Sequence, residues 1–301
     1  MKQLVFRICG GNGNQLFQYS LAKHYEKSGH KIMLDMSFFI AYKGTQPLVS
    51  NGLNNILQYS VTTQEVRKNF FSKLYKKLRK TKLHYLAYIL NERFGNVITE
   101  QQEFGFRKIL LKRNLDGVVL DGYFADYRYL KNGLEEVKIA FEKLTNKVDI
   151  SYDHHIAIHI RRGDYTKIMR TEEKSNVLDI NYYKRCLSLI NKKDAVLRVY
   201  TDDYEWAKSE LPVILEGYLF DFSTEELTDI DSLWTMSKHD FLIGANSTFS
   251  LWAYYFGMNK MNSFYFPQEW ALSIQKKGYV LFDEDYTNFE FVQEDSNLNS
   301  L

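Results

Sequence analysis

Residues 155–165 read His-Ile-Ala-Ile-His-Ile-Arg-Arg-Gly-Asp-Tyr. Ile156, Ile158 and Ile160 alternate with Ala157 and His159, which is the period of a strand. Arg161 and Arg162 follow directly, then Gly163 and Asp164. Two adjacent cations at the end of a buried strand are costly unless something negative meets them. Arginine is planar, permanently charged and rich in donors, which suits a diphosphate. The plain alternative is a salt-bridged strand end. The embedded Arg-Gly-Asp is a three-residue coincidence after a buried strand, not an adhesion motif.

Three other stretches carry residues of chemical interest. Cys-Gly-Gly-Asn-Gly-Asn-Gln-Leu-Phe (9–17) begins like a dinucleotide fingerprint with Gly11 and Gly13, but Leu16 stands at the third glycine position. No Walker lysine is present either. The turn still allows a ligand close to the backbone, and Asn14 and Gln15 add amides at a helix start; a tight strand–helix turn explains it equally. Thr-Asp-Asp (201–203) follows a second apolar run. Ala-Asn-Ser-Thr-Phe-Ser (245–250) offers Ser247, Thr248 and Ser250 at a helix N-terminus, a second anion site or simple capping. Asp229-Ile230-Asp231 is a true Asp-x-Asp, but it lies in a helix-like run and reads as surface carboxylates rather than a metal site. The seven His and two Cys show no metal-ligand spacing, and there is no G-x-S-x-G.

The same motifs reveal the elements that position them. Residues 4–8, 156–160, 195–200 and 240–244 are short apolar strands, each followed by a polar or glycine-rich turn. Helix-like patterns follow the first, third and fourth turns, with Ser247 as N-cap and Gly29 and Gly257 as stops. Alternating strands and helices argue a parallel α/β architecture, in which ligands bind outside the carboxyl ends of the strands. A polar break at 143–153 sets the expected domains at 1–150 and 151–301. A net charge of +2 gives no global case for nucleic acid. Cys9 and Cys186, the only cysteines, suit a reducing, cytoplasmic compartment. No stretch of about 18 apolar residues is present. Residues 67–86 hold eight Lys or Arg and no acid. Phe71, Leu74, Tyr75 and Leu78 give that stretch one apolar face. It is either a solvated surface helix or a basic amphipathic helix lying on an anionic membrane.

Gly-Gly-Asn-Gly-Asn-Gln-Leu-Phe-Gln-Tyr (10–19), His-Ile-Arg-Arg-Gly-Asp-Tyr (159–165), Tyr-Thr-Asp-Asp (200–203) and Ala-Asn-Ser-Thr-Phe-Ser-Leu-Trp-Ala (245–253) together resemble glycosyltransferase family 11, the bacterial and animal α-1,2-fucosyltransferase family. Gly122-Tyr123-Phe124 also resembles a family segment, although 125–128 depart from it. The resemblance implies a GT-B fold, two Rossmann-like domains facing across a cleft, with the acceptor side in the first and the donor in the second. It implies inverting transfer of L-fucose from GDP-β-L-fucose to the 2-OH of a galactose-terminated glycan, with no metal and no cofactor. By resemblance Arg161 and Arg162 form a pyrophosphate clamp. His159 and Asp202 contact guanine or ribose. Ser247, Thr248 and Ser250 contact phosphate, and Gly13, Asn14 and Gln15 approach the donor from the other domain. Asp164 is then either the general base for the acceptor hydroxyl or a residue that orients an arginine. The alternatives are a fucosyltransferase of another linkage, such as α-1,6, and a sugar-nucleotide or glycan-binding protein without catalysis.

Overall fold

The computed structural model of the chain describes residues 3–41, 48–65, 68–78, 80–100, 115–146, 152–167, 176–282, 285 and 287–294. The chain divides into two units, residues 1–143 with 277–281 and residues 144–276 with 282–301. The expected junction between 150 and 151 lies outside the described residues. The return of 277–281 to the first unit has no sequence signature. It rests on backbone pairing: Tyr127 N donates to Val280 O (2.7 Å), and Val280 N donates to the buried Asp126 carboxylate (2.8 Å).

The N-terminal unit is a five-stranded parallel sheet, ordered β3-β2-β1-β5-β4. Its strands are β1 (Gln3–Arg7), β2 (Lys31–Asp35), β3 (Ser60–Thr62), β4 (Val97–Thr99) and β5 (Val118–Asp121). Buried Arg7 clips three neighbouring strand ends together, bonding to Asp35 (3.3 Å) and Asp121 (2.6 Å). The C-terminal unit is a six-stranded parallel sheet, ordered β11-β10-β9-β6-β7-β8. Its strands are β6 (His155–Ile160), β7 (Val196–Thr201), β8 (Leu219–Asp221), β9 (Phe241–Ile243), β10 (Ser263–Pro267) and β11 (Phe289–Val292). Both units are Rossmann-like, as expected for the fold class.

In each sheet the strand order reverses beside the first strand, between β1 and β5 and between β6 and β9. In open parallel sheets the crevice above such a reversal is where ligands bind. The turns 8–11, 122–126, 161–163 and 244–247 stand at those two places. Strand β6 is buried on both faces from Ile156 to Ile160, which explains why Ala157 and His159 replace the usual exposed polar positions. Its isoleucines pack with Leu197, Val199 and Ile243 against Tyr182, Leu187 and Leu211. Each such side chain contributes about 1.5–3 kcal/mol through burial.

Two sequence expectations need correction. Residues 67–86 are not one helix: helices span Phe70–Leu78 and His84–Phe94, while Arg67 and Arg79 lie outside the described residues. Asp231 is not a surface carboxylate. It is buried near the start of helix Asp229–Met236 and accepts bonds from Asn146 N and Nδ2 (both 2.7 Å) and Thr228 Oγ1 (2.8 Å). Those bonds commit both of its oxygens to the fold. Asp229 opens that helix behind its N-cap, Thr228.

Candidate functional site

Strand β6 delivers Arg161 and Arg162 just past its carboxyl end, and three carboxylates receive them. Arg161 Nη2 bonds Asp164 Oδ1 (2.6 Å), and its Nη1 pairs with Asp202 Oδ2 (2.8 Å). Its guanidinium carbon lies 5.4 Å from the Tyr165 ring centroid. Arg162 Nε donates to Asp203 Oδ2 (3.0 Å), and its guanidinium carbon sits 3.9 Å from the Trp206 ring centroid. Among the described residues, Nη1 and Nη2 of Arg162 have no partner. The Arg161 side chain is 35% exposed and that of Arg162 20%. Arg161 is therefore the outer guanidinium, held at both Nη atoms by partly exposed acids. Arg162 is the inner one, fixed flat on an indole.

Asp202 shapes the turn itself. Its Oδ1 accepts from Arg162 N (2.8 Å) and Gly163 N (3.1 Å). A Cβ at position 163 would lie 2.4 Å from Asp202 Oδ2, so only glycine lets strand and carboxylate meet here. Both Asp202 oxygens bond within the arginine turn. Asp203 caps helix Tyr204–Ile214, accepting from Trp206 N (3.3 Å). One helical turn thus supplies both the anion and the aromatic plate for Arg162.

His159 has a fixed protonation state. Ser250 Oγ accepts from Ala245 N (2.9 Å) and lies 2.5 Å from His159 Nδ1. No other acceptor for the serine proton exists among the described residues, so the hydroxyl donates to Nδ1 and the ring carries its hydrogen on Nε2. Burial, with Arg161 nearby, pushes the imidazole down to about 3. His159 is thus a neutral N–H donor, packed 5.5 Å from the Phe249 ring. Fully buried Ser250 positions the His159 ring through that bond. Ser247 caps helix Thr248–Gly257, with its hydroxyl accepting from Phe249 N (3.2 Å). Half-buried Thr248 opens that helix.

Buried His239 is likewise pushed down to about 3, by desolvation first and Arg198 second. The pH dependence of folding follows. Both rings stay neutral in the native state, while an unfolded chain protonates them below about pH 6.5. Their stabilisation is complete above that value and is lost as pH falls towards about 3, at about 1.4 kcal/mol per pH unit for each ring. Urea midpoints should therefore drop steeply between about pH 6.5 and about pH 4.5. A flat midpoint over that range would show that both rings protonate without cost.

Turns 161–167 and 244–247 are joined through Tyr165, whose hydroxyl donates to Asn246 O (3.2 Å). Asn246 is buried, and its amide nitrogen donates to Asn176 O (2.9 Å). Its Oδ1 is buried without a partner among the described residues. Sequence reading passed over Asp203, Trp206, Tyr165 and Asn246. Asp203 and Trp206 had a readable signal, an acid and an aromatic three apart at a helix start. Tyr165 and Asn246 are joined only by folding.

In the N-terminal unit, Gly10 has φ +80°, and a Cβ there would meet the Tyr123 ring at 2.8 Å and the Asn14 amide at 2.9 Å. Gln15 is fully buried, and its amide nitrogen donates to Gly10 O (2.8 Å), so it staples the glycine turn and does not face outward. Asn14 is half-buried and Gly13 buried in the first turn of helix Asn12–Lys27. Glu100 Oε2 receives Tyr123 N and Phe124 N (both 2.7 Å) and fixes turn 122–126, where Phe124 adopts φ +54°. Burial raises the Glu100 carboxyl. Gly13, Asn14 and Gln15 thus belong to the N-terminal unit, and the other expected site residues to the C-terminal unit. Among the described residues, no group of three or more His, Cys, Asp or Glu could hold a metal ion.

Comparison with known proteins gives a consistent picture. The model of glycosyl transferase family 11 matches residues 120–267. The Escherichia coli O-antigen biosynthesis glycosyltransferase WbnK is 25% identical over 286 residues, covering 87% of this chain and 93% of that protein. The Escherichia coli alpha-1,2-colitosyltransferase is 25% identical over 270 residues, covering 84% of this chain and 87% of that protein. Among solved structures, fucosyltransferase NodZ from Bradyrhizobium aligns with TM-score 0.43 and 10% identity, over 84% of this chain and 91% of that chain.

Proposed function

We propose that this chain, whose residues 120–267 match the model of glycosyl transferase family 11, moves L-fucose from GDP-β-L-fucose to the 2-OH of a terminal β-galactoside, with inversion and without a metal ion. The observation that carries this reading is the guanidinium pair at the β6–β9 reversal, held ready by Asp164, Asp202, Asp203 and Trp206. Breaking the sugar–phosphate bond leaves positive charge on the ring and adds negative charge to the β-phosphate. Fixed cations beside that oxygen stabilise the transition state more than the ground state. Arg161 meets the leaving phosphate. Arg162, locked against the indole, offers its terminal nitrogens without reorganisation. The Nε2–H of neutral His159 adds a donor without adding charge. Asp164 takes the acceptor proton in the single displacement that inversion requires.

The colitosyltransferase relative supports a second reading, α-1,2 transfer of colitose through the same guanidinium pair. An α-1,6-fucosyl linkage is a third outcome, and a binding protein without turnover a fourth. A donor and acceptor panel, with linkage analysis of the product by NMR, decides among them. Release of GDP from GDP-fucose that requires a β-galactoside, and a product carrying α-L-fucose on O2, are the expected results. Turnover should also survive EDTA. Activity lost to EDTA and restored by magnesium or manganese would overturn the guanidinium mechanism.

A further inference from the structure

We propose that the hairpin of helices Phe70–Leu78 and His84–Phe94 is a docking surface for an anionic lipid bilayer. The apolar face read from the sequence does not serve this purpose, because the two helices consume it. Phe71 packs on Phe94 (ring centroids 5.1 Å apart) and Tyr75 on Tyr88 (6.3 Å). Ser72 Oγ donates to buried Asn91 Oδ1 (2.8 Å), closing the pair. A different apolar set faces outward. Leu83 is 55% exposed, Tyr85 61%, Leu86 57% and Ile89 42%. Tyr85 and Ile89 are one helical turn apart, as are Leu86 and Ile89, so they form one strip with Leu83 at its start.

Charge stands at the start of that strip. Lys80 and Lys82 lie in the turn between the helices, Lys82 next to Leu83, and Lys73, Lys76 and Lys77 lie on the first helix. All five lysines are exposed, and none has a carboxylate partner among the described residues. The remainder of the chain is acidic, with 31 basic against 37 acidic residues outside 67–86. Positive charge is thus concentrated in the hairpin that leaves large apolar side chains in water. Interfacial segments combine these two features: lysines meet lipid phosphates, and a tyrosine and aliphatic side chains enter the headgroup–acyl boundary. A second copy of the chain would set lysines against lysines. A nucleic acid would leave the apolar strip in water.

The test uses the full chain and needs no donor, so it stands or falls apart from the fucosyl reading. Wild-type protein should cosediment with phosphatidylglycerol–phosphatidylcholine vesicles at low ionic strength, bind phosphatidylcholine vesicles far less, and be released by salt. Lys80→Glu with Lys82→Glu, and Tyr85→Ser with Leu86→Ser, should each weaken binding by on the order of tenfold or more. Far-UV circular dichroism should be unchanged, since all four side chains are exposed. Tryptophan placed at position 86 (Leu86→Trp) should shift its emission to the blue on anionic vesicles and be quenched by brominated lipid. Wild-type protein that ignores anionic vesicles overturns the proposal. So does binding indifferent to the Tyr85 and Leu86 changes, which would be charge attraction without insertion. Self-association abolished by Leu86→Ser, without vesicle binding, would assign the strip to a second copy and overturn it as well.

Discussion

Arg161→Lys is expected to lower turnover by roughly 10²–10³-fold, the cost of removing one preorganised donor from a developing anion. Arg161 binds two carboxylates through two separate nitrogens, Asp164 at 2.6 Å and Asp202 at 2.8 Å. An ammonium is a point charge on a flexible stem and cannot span both acids while presenting a flat edge to phosphate. Arg162→Lys should also be strongly impaired for a different reason. It loses the stacked plane on Trp206 and the Nε bond to Asp203 that together aim its terminal nitrogens. GDP affinity, read by calorimetry, should fall in both variants, since both cations face the diphosphate. Steady-state kinetics indistinguishable from wild type in both would remove the guanidinium clamp.

Asp164→Asn carries the other large effect. The carboxylate is 56% exposed, and its Oδ1 meets Arg161. Asp202 holds Arg161 independently, so losing one exposed ion pair should change GDP affinity by less than about fivefold. Turnover should fall by roughly 10²–10⁴-fold, because the amide keeps the shape and loses the basicity. The two readouts separate the roles. Intact GDP binding with collapsed turnover identifies a proton acceptor. Parallel collapse of both makes Asp164 a positioning residue for Arg161 and moves the search for the base to another acid.

The four strands that precede functional turns were legible because each is an apolar run ended by glycine or paired polar residues, and the structure places strands within all four. The other seven strands were not read; among them β3, β4 and β8 span three residues, too few for a period, and unlike the equally short β9 none ends in a glycine turn. Ser247 could be read as a cap because capping is local. The bond of Ser250 to His159, 91 positions away, could not be read in that way. Nor could the bonds of Asp202, whose partners Arg162 and Gly163 come from the neighbouring strand's turn. Residue types revealed which groups could meet phosphate, while contacts distant in sequence decided which of them are already engaged.

The arginine turn has a consequence for how a diphosphate comes and goes. Two guanidinium groups stand among three carboxylates, Asp164, Asp202 and Asp203, so the protein brings its own counter-ions. At Arg161, whose two Nη atoms both hold carboxylates, phosphate binding would be an exchange of anions rather than a capture by bare charge. A lone monovalent anion gains little by the swap, whereas two linked phosphates can outcompete separate carboxylates. The same carboxylates remain tethered alongside after reaction. On the proposed reaction they would reclaim the guanidinium groups one at a time, which would give a spent nucleotide a stepwise route out.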